Sequence, residues 1–142
     1  MSIEIVEIEQ YDASLQQAFE RLVPQLSEMS VAPSPERLQR IVASPTTHLL
    51  AATTDNGTIV GVLTLVFVEI PTGYKAWIED VVTDSEYRGL GIGQSLVERA
   101  LSIAEAEGVK SVNLTSRPSR QAAHALYRKV GFKEVDTTVF RR

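Results

Sequence analysis

The sequence predicts a mixed α/β fold in one domain spanning residues 1–142, with a mostly antiparallel central sheet flanked by helices. Three observations lead there. Runs of β-branched and apolar residues follow one another between positions 48 and 84 with turn signals between them, the pattern of a strand meander. Apolar residues recur at helical spacing before and after this region, and the helix behind it leads into one further strand, which requires a parallel crossover. The chain of 142 residues, 44% hydrophobic and 23% charged, can build one hydrophobic core and is too short for two domains of ordinary size.

Ile3, Ile5 and Ile8 alternate partly with Glu4, Glu7 and Glu9 and predict an opening strand. Asp12 is placed to cap a first helix carrying Leu15, Phe19, Leu22, Val23 and Leu26, which Pro24 should end or kink. Ser34, Pro35 and Glu36 supply a cap, a first-turn proline and an acidic first turn for a short second helix with Leu38, Ile41 and Val42 on one face. Residues 48–54 and 58–70 form a hairpin across Asp55-Asn56-Gly57, and Pro71-Thr72-Gly73 turns the chain into a third strand, residues 74–84. Ile92, Leu96, Val97, Ala100, Leu101 and Ala104 predict a long helix closed by Gly108. A strand over 110–115 should lie parallel to the third meander strand. Ser119 is the expected cap of a last helix reaching Val130 and stopped by Gly131, and residues 132–140, with Val135 and Val139, are expected to return as a final strand.

Several function classes are disfavoured by composition. Fourteen Lys and Arg against eighteen Asp and Glu give a net charge of -4, so the overall field repels nucleic acid. Cysteine is absent, which removes disulfides, thiolate metal sites and a cysteine nucleophile together. His48 and His124 have no Glu-x-x-His spacing or further imidazole around them, so no metal site is expected. Ser95, Ser102 and Thr115 lack a Gly-x-Ser-x-Gly context, leaving a serine-hydrolase reading unsupported. No apolar run approaches the roughly 20 residues of a membrane helix, and the first residues resemble neither a signal nor a transit peptide. A cytoplasmic protein is expected.

The chemistry-bearing segment is Arg88-Gly89-Leu90-Gly91-Ile92-Gly93, set between a strand and a helix. Backbone N–H groups and the positive end of the helix dipole converge on an anion there, and glycine lets the main chain approach a pyrophosphate closely. The nucleotide P-loop fails for want of a Gly-Lys-Ser or Gly-Lys-Thr, and the dinucleotide fingerprint fails because Gln94 stands where its third glycine belongs. The Arg/Gln-x-x-Gly-x-Gly/Ala pattern is met by Arg88, Gly91 and Gly93. In this, and in Trp77-Ile78-Glu79-Asp80-Val81-Val82-Thr83 upstream and Ala123-x-x-Leu126-Tyr127-x-Lys129-x-Gly131-Phe132 downstream, the chain resembles the GNAT superfamily of N-acetyltransferases, most of all those acting on small amines.

The resemblance implies acetyl-CoA as cosubstrate, with the backbone of Val81, Val82 and Thr83 along the pantetheine arm and that of Arg88 to Gln94 (Gly89, Leu90, Gly91, Ile92 and Gly93 between them) on the pyrophosphate. Arg120 departs from the pattern, since many members carry Asn at that position, and it is a further cofactor-side candidate. An ammonium with a pKa near 10.4 must lose a proton before attacking a thioester, so a base is required. Strand alternation puts Glu79 and Asp80 on opposite faces and Glu79 on the face of Val81, and the resemblance points to the same pair, so Glu79 leads, with Asp80 or a water as the alternatives. A main-chain N–H freed by a strand irregularity at Val81 is the candidate oxyanion donor. By the resemblance Tyr127 supplies the proton to the leaving thiolate.

Arg117, Arg120 and Arg128 could form an anion patch or simply be solvated, Trp77 is a core or pocket-wall residue, and Arg141-Arg142 is a charged terminus. The function implied is acetyl transfer to the primary amine of a small molecule by direct attack in a ternary complex. A protein N-terminus or lysine is the alternative acceptor, a CoA-binding sensor or partner-binding module without turnover the alternative class, and a homodimer through the final strand the expected assembly if there is one.

Overall fold

The computed structural model describes residues 2–142. A five-stranded sheet in the order β1-β2-β3-β4-β5 is built from β1 (Glu4–Glu7), β2 (Thr47–Thr53), β3 (Ile59–Ile70), β4 (Gly73–Thr83) and β5 (Val112–Asn113). The first three pairings are antiparallel, and β4 with β5 is parallel. Helices α1 (Ala13–Leu22) and α2 (Pro35–Ala43) cover one face, and α3 (Ile92–Ala106) and α4 (Gln121–Lys129) the other. The mixed, mostly antiparallel sheet flanked by helices is therefore as expected.

Local signals account for most element ends. Asp12 accepts a hydrogen bond from Leu15 N at 2.8 Å and caps α1, and Ser34 accepts from Arg37 N and caps α2. Pro24 sits in a 3₁₀ turn, Val23–Gln25, where α1 stops. Gly108 and Gly131 take left-handed conformations after α3 and α4, with φ of 77° and 103°.

Strand alternation sorts the core into two clusters. Leu49, Ala51, Val62 and Val82 face α1 and α2 with Leu15, Phe19, Leu22 and Leu38, whereas Leu50, Leu63, Leu65 and Ile78 face α3 with Leu96, Val97 and Ala100. Two irregularities shift the phase. In β3 an extra residue lies between the partners of Ala52 and Thr53, and it turns Gly61 toward α3. In β4, Asp80 and Val81 stand opposite Leu63 alone, and Asp80 has φ 50°.

Three expectations differ from the structure. Residues 132–140 pair with no strand: Val135, Val139 and Phe140 are 76%, 67% and 91% exposed, and the sheet ends at β5. Alternation marks a segment that fits a pleated surface, but a strand also needs a neighbouring ladder, and β5 is only two residues long, shorter than the predicted 110–115. The expected homodimer edge is thus not a strand in this fold. Ser119 does not cap α4; Arg120 occupies the N-cap position, and no side chain bonds the helix N-terminus. Glu79 and Val81 do not share a face, because the extra residue at Asp80 restarts the alternation, leaving Val81 packed on the α3 side with Ile78 while Glu79 belongs to the other face.

The absence of a side chain at Gly61 sets how closely α3 lies on the sheet. A Cβ there would come within 3.0 Å of Ile92 Cγ2, 3.3 Å of Leu96 Cδ1 and 3.4 Å of Val82 O. Gly61→Val should lower the unfolding free energy by about 1–3 kcal/mol through overpacking, measurable by urea denaturation.

Candidate functional site

The parallel pairing of β4 with β5 holds only Ala76 to Val112 and Trp77 to Asn113. Beyond Trp77 the outer edge of β4 runs on to Thr83 with no strand beside it, so main-chain donors and acceptors there remain available to an extended ligand. A cleft of about 700 Å³ opens along this edge. One wall is Val81, Val82 and Thr83; the floor is Arg88, Gly89, Gly91, Ile92 and Gly93; the far wall is α4, with Arg120, Ala123, Leu126 and Tyr127. Its volume lies in the range of roughly 300–1,000 Å³ usual for small-molecule sites.

The glycine loop follows from local chemistry. A short turn, Ser85–Tyr87, carries the chain from β4 to Arg88, and Gly89 and Gly91 then take left-handed φ values of 81° and 77°. Gly91 is the N-cap of α3 and has no side chain to bond the first-turn N–H groups, which leaves those of Ile92, Gly93 and Gln94 without helical partners. A Cβ at Gly89 or Gly91 would project into open space, and one at Gly93 would face Leu126 and Thr83 across the cleft. Unpaired main-chain donors, a helix N-terminus and the exposed Arg88 suit a pyrophosphate. These residues fit the phosphate-bearing end of coenzyme A, and the open β4 edge fits its amide-rich arm.

Of the residues singled out in the sequence, Val81, Val82, Thr83, Arg88, Gly89, Gly91, Ile92, Gly93, Arg120 and Tyr127 all line this cleft. Leu90 does not line it and is 58% exposed, and the side of Gln94 borders a separate shallow depression between α3 and the end of α4. Glu79 and Asp80 are both exposed on β4 next to the cleft rather than among its lining residues. Desolvation by the surrounding wall, and secondly the Asp80 carboxylate, push the Glu79 carboxyl above its ordinary range, although the side chain still reaches water. Burial pushes the Tyr127 phenol up, against a smaller opposing effect of Arg120, and the Tyr127 ring meets Phe132 edge-on at 5.9 Å.

Gln25, Leu26 and Tyr87 also line the cleft, and nothing in the sequence marks them as site residues, Leu26 reading only as part of the first helix's apolar face. Gln25 and Leu26 come from a segment that only the tertiary fold brings to β4, whereas Tyr87 ends the short turn that directly follows it. The histidines stand apart: His48 Nδ1 lies 2.6 Å from Glu7 Oε1 at the β1–β2 edge, and the buried Nε2 of His124 has no hydrogen-bond partner. No group of three His, Asp or Glu side chains able to hold a metal occurs among the described residues. No helix among them is long and apolar enough to cross a membrane.

Residues 13–132 match the family model described as Acetyltransferase (GNAT) family. The chain belongs to the GNAT acetyltransferase family. Among curated relatives, it is 35% identical over 101 residues to N-alpha-acetyltransferase RimI of Mycobacterium tuberculosis (strain ATCC 25618 / H37Rv), covering 71% of this chain and 61% of that protein. The chain thus spans about three fifths of that relative's length. Among solved structures, a transcriptional regulator from Bacillus halodurans C-125 aligns with a TM-score of 0.84 at 25% identity, over 98% of this chain and 99% of that one. The aminoglycoside acetyltransferase meta-AAC0020 from an uncultured soil metagenomic sample, in complex with trehalose, aligns with a TM-score of 0.85 over 99% and 94% at 21% identity, a likeness of fold. In a GNAT member, the loop at Gly91 is where coenzyme A phosphates are expected. Gly91→Asp should therefore abolish CoA binding in calorimetric titration, because it puts a β-carbon on a left-handed residue and a negative charge beside the unpaired N–H groups that open α3.

Proposed function

We propose that this protein is an N-acetyltransferase that moves the acetyl group of acetyl-CoA to a primary amine of a small molecule by direct attack in a ternary complex. The observation that carries this reading is the single cleft joining the glycine loop, the free edge of β4 and Tyr127. Arg88, the α3 N-terminus and the β4 edge bind and orient the thioester. Glu79 takes the ammonium proton; its raised pKa brings it nearer to neutrality, where a base works best. As the amine nitrogen bonds to the carbonyl carbon, negative charge gathers on the oxygen, and the N–H of Val81, beside the irregularity at Asp80, is the donor assigned to it. The C–S bond then breaks, and Tyr127, a phenol protonated at neutral pH, gives its proton to the thiolate; the proton still carried by the new amide nitrogen passes to the phenolate, directly or through water, and restores it.

A protein α-amine is the second reading, favoured by the likeness to an N-alpha-acetyltransferase. Titration with acetyl-CoA, followed by a thiol-detecting assay over amino sugars, polyamines, amino acids and peptides, tests both. No binding at millimolar acetyl-CoA overturns the enzyme reading. Thiol release with peptides alone overturns the small-molecule acceptor.

Two substitutions separate the roles. With saturating acceptor, wild-type kcat should rise with pH as Glu79 loses its proton, with a midpoint above the usual carboxylate value of about 4.3, and Glu79→Gln should remove that limb and lower kcat about 10²-fold. Tyr127→Phe removes one hydroxyl and little volume, so the fold and acetyl-CoA affinity should persist while kcat falls roughly 10²-fold. Because a CoA thiol, like cysteine, has a pKa of about 8.5, its thiolate leaves tolerably well and some activity should remain. Wild-type kcat in the Phe variant, under conditions where chemistry limits turnover, would assign Tyr127 to the wall of the cleft.

A further inference from the structure

Asp84 is the one charged residue in the buried set among the described residues, 6% exposed, and it stands where β4 ends and the chain turns toward the glycine loop. Its Oδ2 accepts from Arg21 Nε at 3.2 Å and its Oδ1 from the Glu86 N–H at 3.2 Å. The second prong of the Arg21 guanidinium donates to the carbonyl of Ile59 at the start of β3. One turn further along, Gln25 Oε1 accepts from the Ser85 N–H at 2.9 Å, and Gln25 itself lines the cleft. One side chain from the end of α1 and one from the turn that follows it thus grip the corner from which the glycine loop departs.

Building upon the acetyl-CoA reading, we propose that Arg21 and Asp84 are positioning residues of the transfer site, locking the end of α1 and its following turn to the corner that aims the glycine loop. Arg21 does not line the cleft, so it acts through Asp84 rather than by touching substrate. The planar guanidinium can bond a carboxylate and a carbonyl on two different elements at once, which an ammonium cannot do in the same geometry. Upstream of this corner β4 is held by β3, with Gly61 opposite Thr83 and the Asp84 N–H bonded to the Val60 carbonyl at 2.9 Å. Downstream, Arg88, Gly89 and Leu90 are exposed and have no strand beside them. Loss of the clamp therefore acts on the loop. It also shifts Gln25 relative to the loop, so the wall next to the cleft and the phosphate site move together.

The test compares the wild-type chain with Arg21→Met and Arg21→Lys, each titrated with CoA at a temperature where circular dichroism shows it folded. Arg21→Met should weaken CoA binding about tenfold, and Arg21→Lys, which keeps the charge without the fork, about threefold. A pair that only stabilises the fold would lower Tm and leave the Kd of the folded protein unchanged, so an unchanged Kd in Arg21→Met overturns the proposal whatever its Tm. Should Arg21→Met not fold, Arg21→Lys decides, and wild-type affinity there overturns it. A wild type that does not bind CoA overturns both the enzyme reading and the clamp, whereas a wild type that binds CoA no better than its variants overturns the clamp alone.

Discussion

The site depends on how little of β4 is shared with β5. A strand buried between two neighbours spends its main-chain hydrogen bonds on both, and it has nothing left for a ligand. Here the parallel contact ends after Trp77, while β3 continues to hold the other edge as far as Thr83. The last part of β4 is therefore rigid and yet unsatisfied on one side. Such an edge invites aggregation unless it is covered, and the cleft between β4 and α4 keeps it from meeting another flat strand. The same parting of strands places the glycine loop and α3 at one end of the opening and Tyr127 along its far wall.

The extra residue at Asp80 is the second constraint. With strict alternation Val81 would face α1 and α2 beside Glu79; with one residue inserted it packs against the α3 side, and Val82 returns to the α1 side. A left-handed φ at a non-glycine residue costs on the order of 1–3 kcal/mol and persists because the flanking ladder holds it. What it provides is a carboxylate and a free main-chain segment presented on different sides of one strand.

Much of this was legible in the sequence. Asp12, Ser34 and Pro24 set helix ends through local chemistry, the Asp55-Asn56-Gly57 turn fixed the hairpin, and the glycine spacing at 89, 91 and 93 located the loop. All of these signals act within about four residues of chain. The expectations that differ rest on partners distant in sequence. Residues 132–140 alternate well enough for a strand but meet no ladder, and the face of Val81 depends on Leu63 across the sheet. Strand irregularity was anticipated at Val81, but its effect on Glu79 was not, because inserting one residue reverses every side-chain direction that follows. Arg21 and Asp84 are 63 positions apart, and neither carries a pattern that would pair them.

This division also explains why the cofactor end of a GNAT protein is easier to read than the acceptor end. Phosphates and amide-rich arms are bound by main-chain N–H and C=O groups, and the sequence requirement is permissive geometry: glycine where φ must be positive, a helix that starts on cue. Such requirements leave a compact motif. On the proposed reading the local donors would outweigh a net charge of -4, since an anion at a helix N-terminus feels the nearest dipoles far more strongly than distant carboxylates screened by salt. On the proposed reading an acceptor amine would instead meet side chains whose placement depends on the packing of α1, its following turn and β4 against one another. Gln25 and Leu26 reach the cleft because Leu22 is fully buried on the sheet and Arg21 holds Asp84, and no spacing rule within one segment records that arrangement.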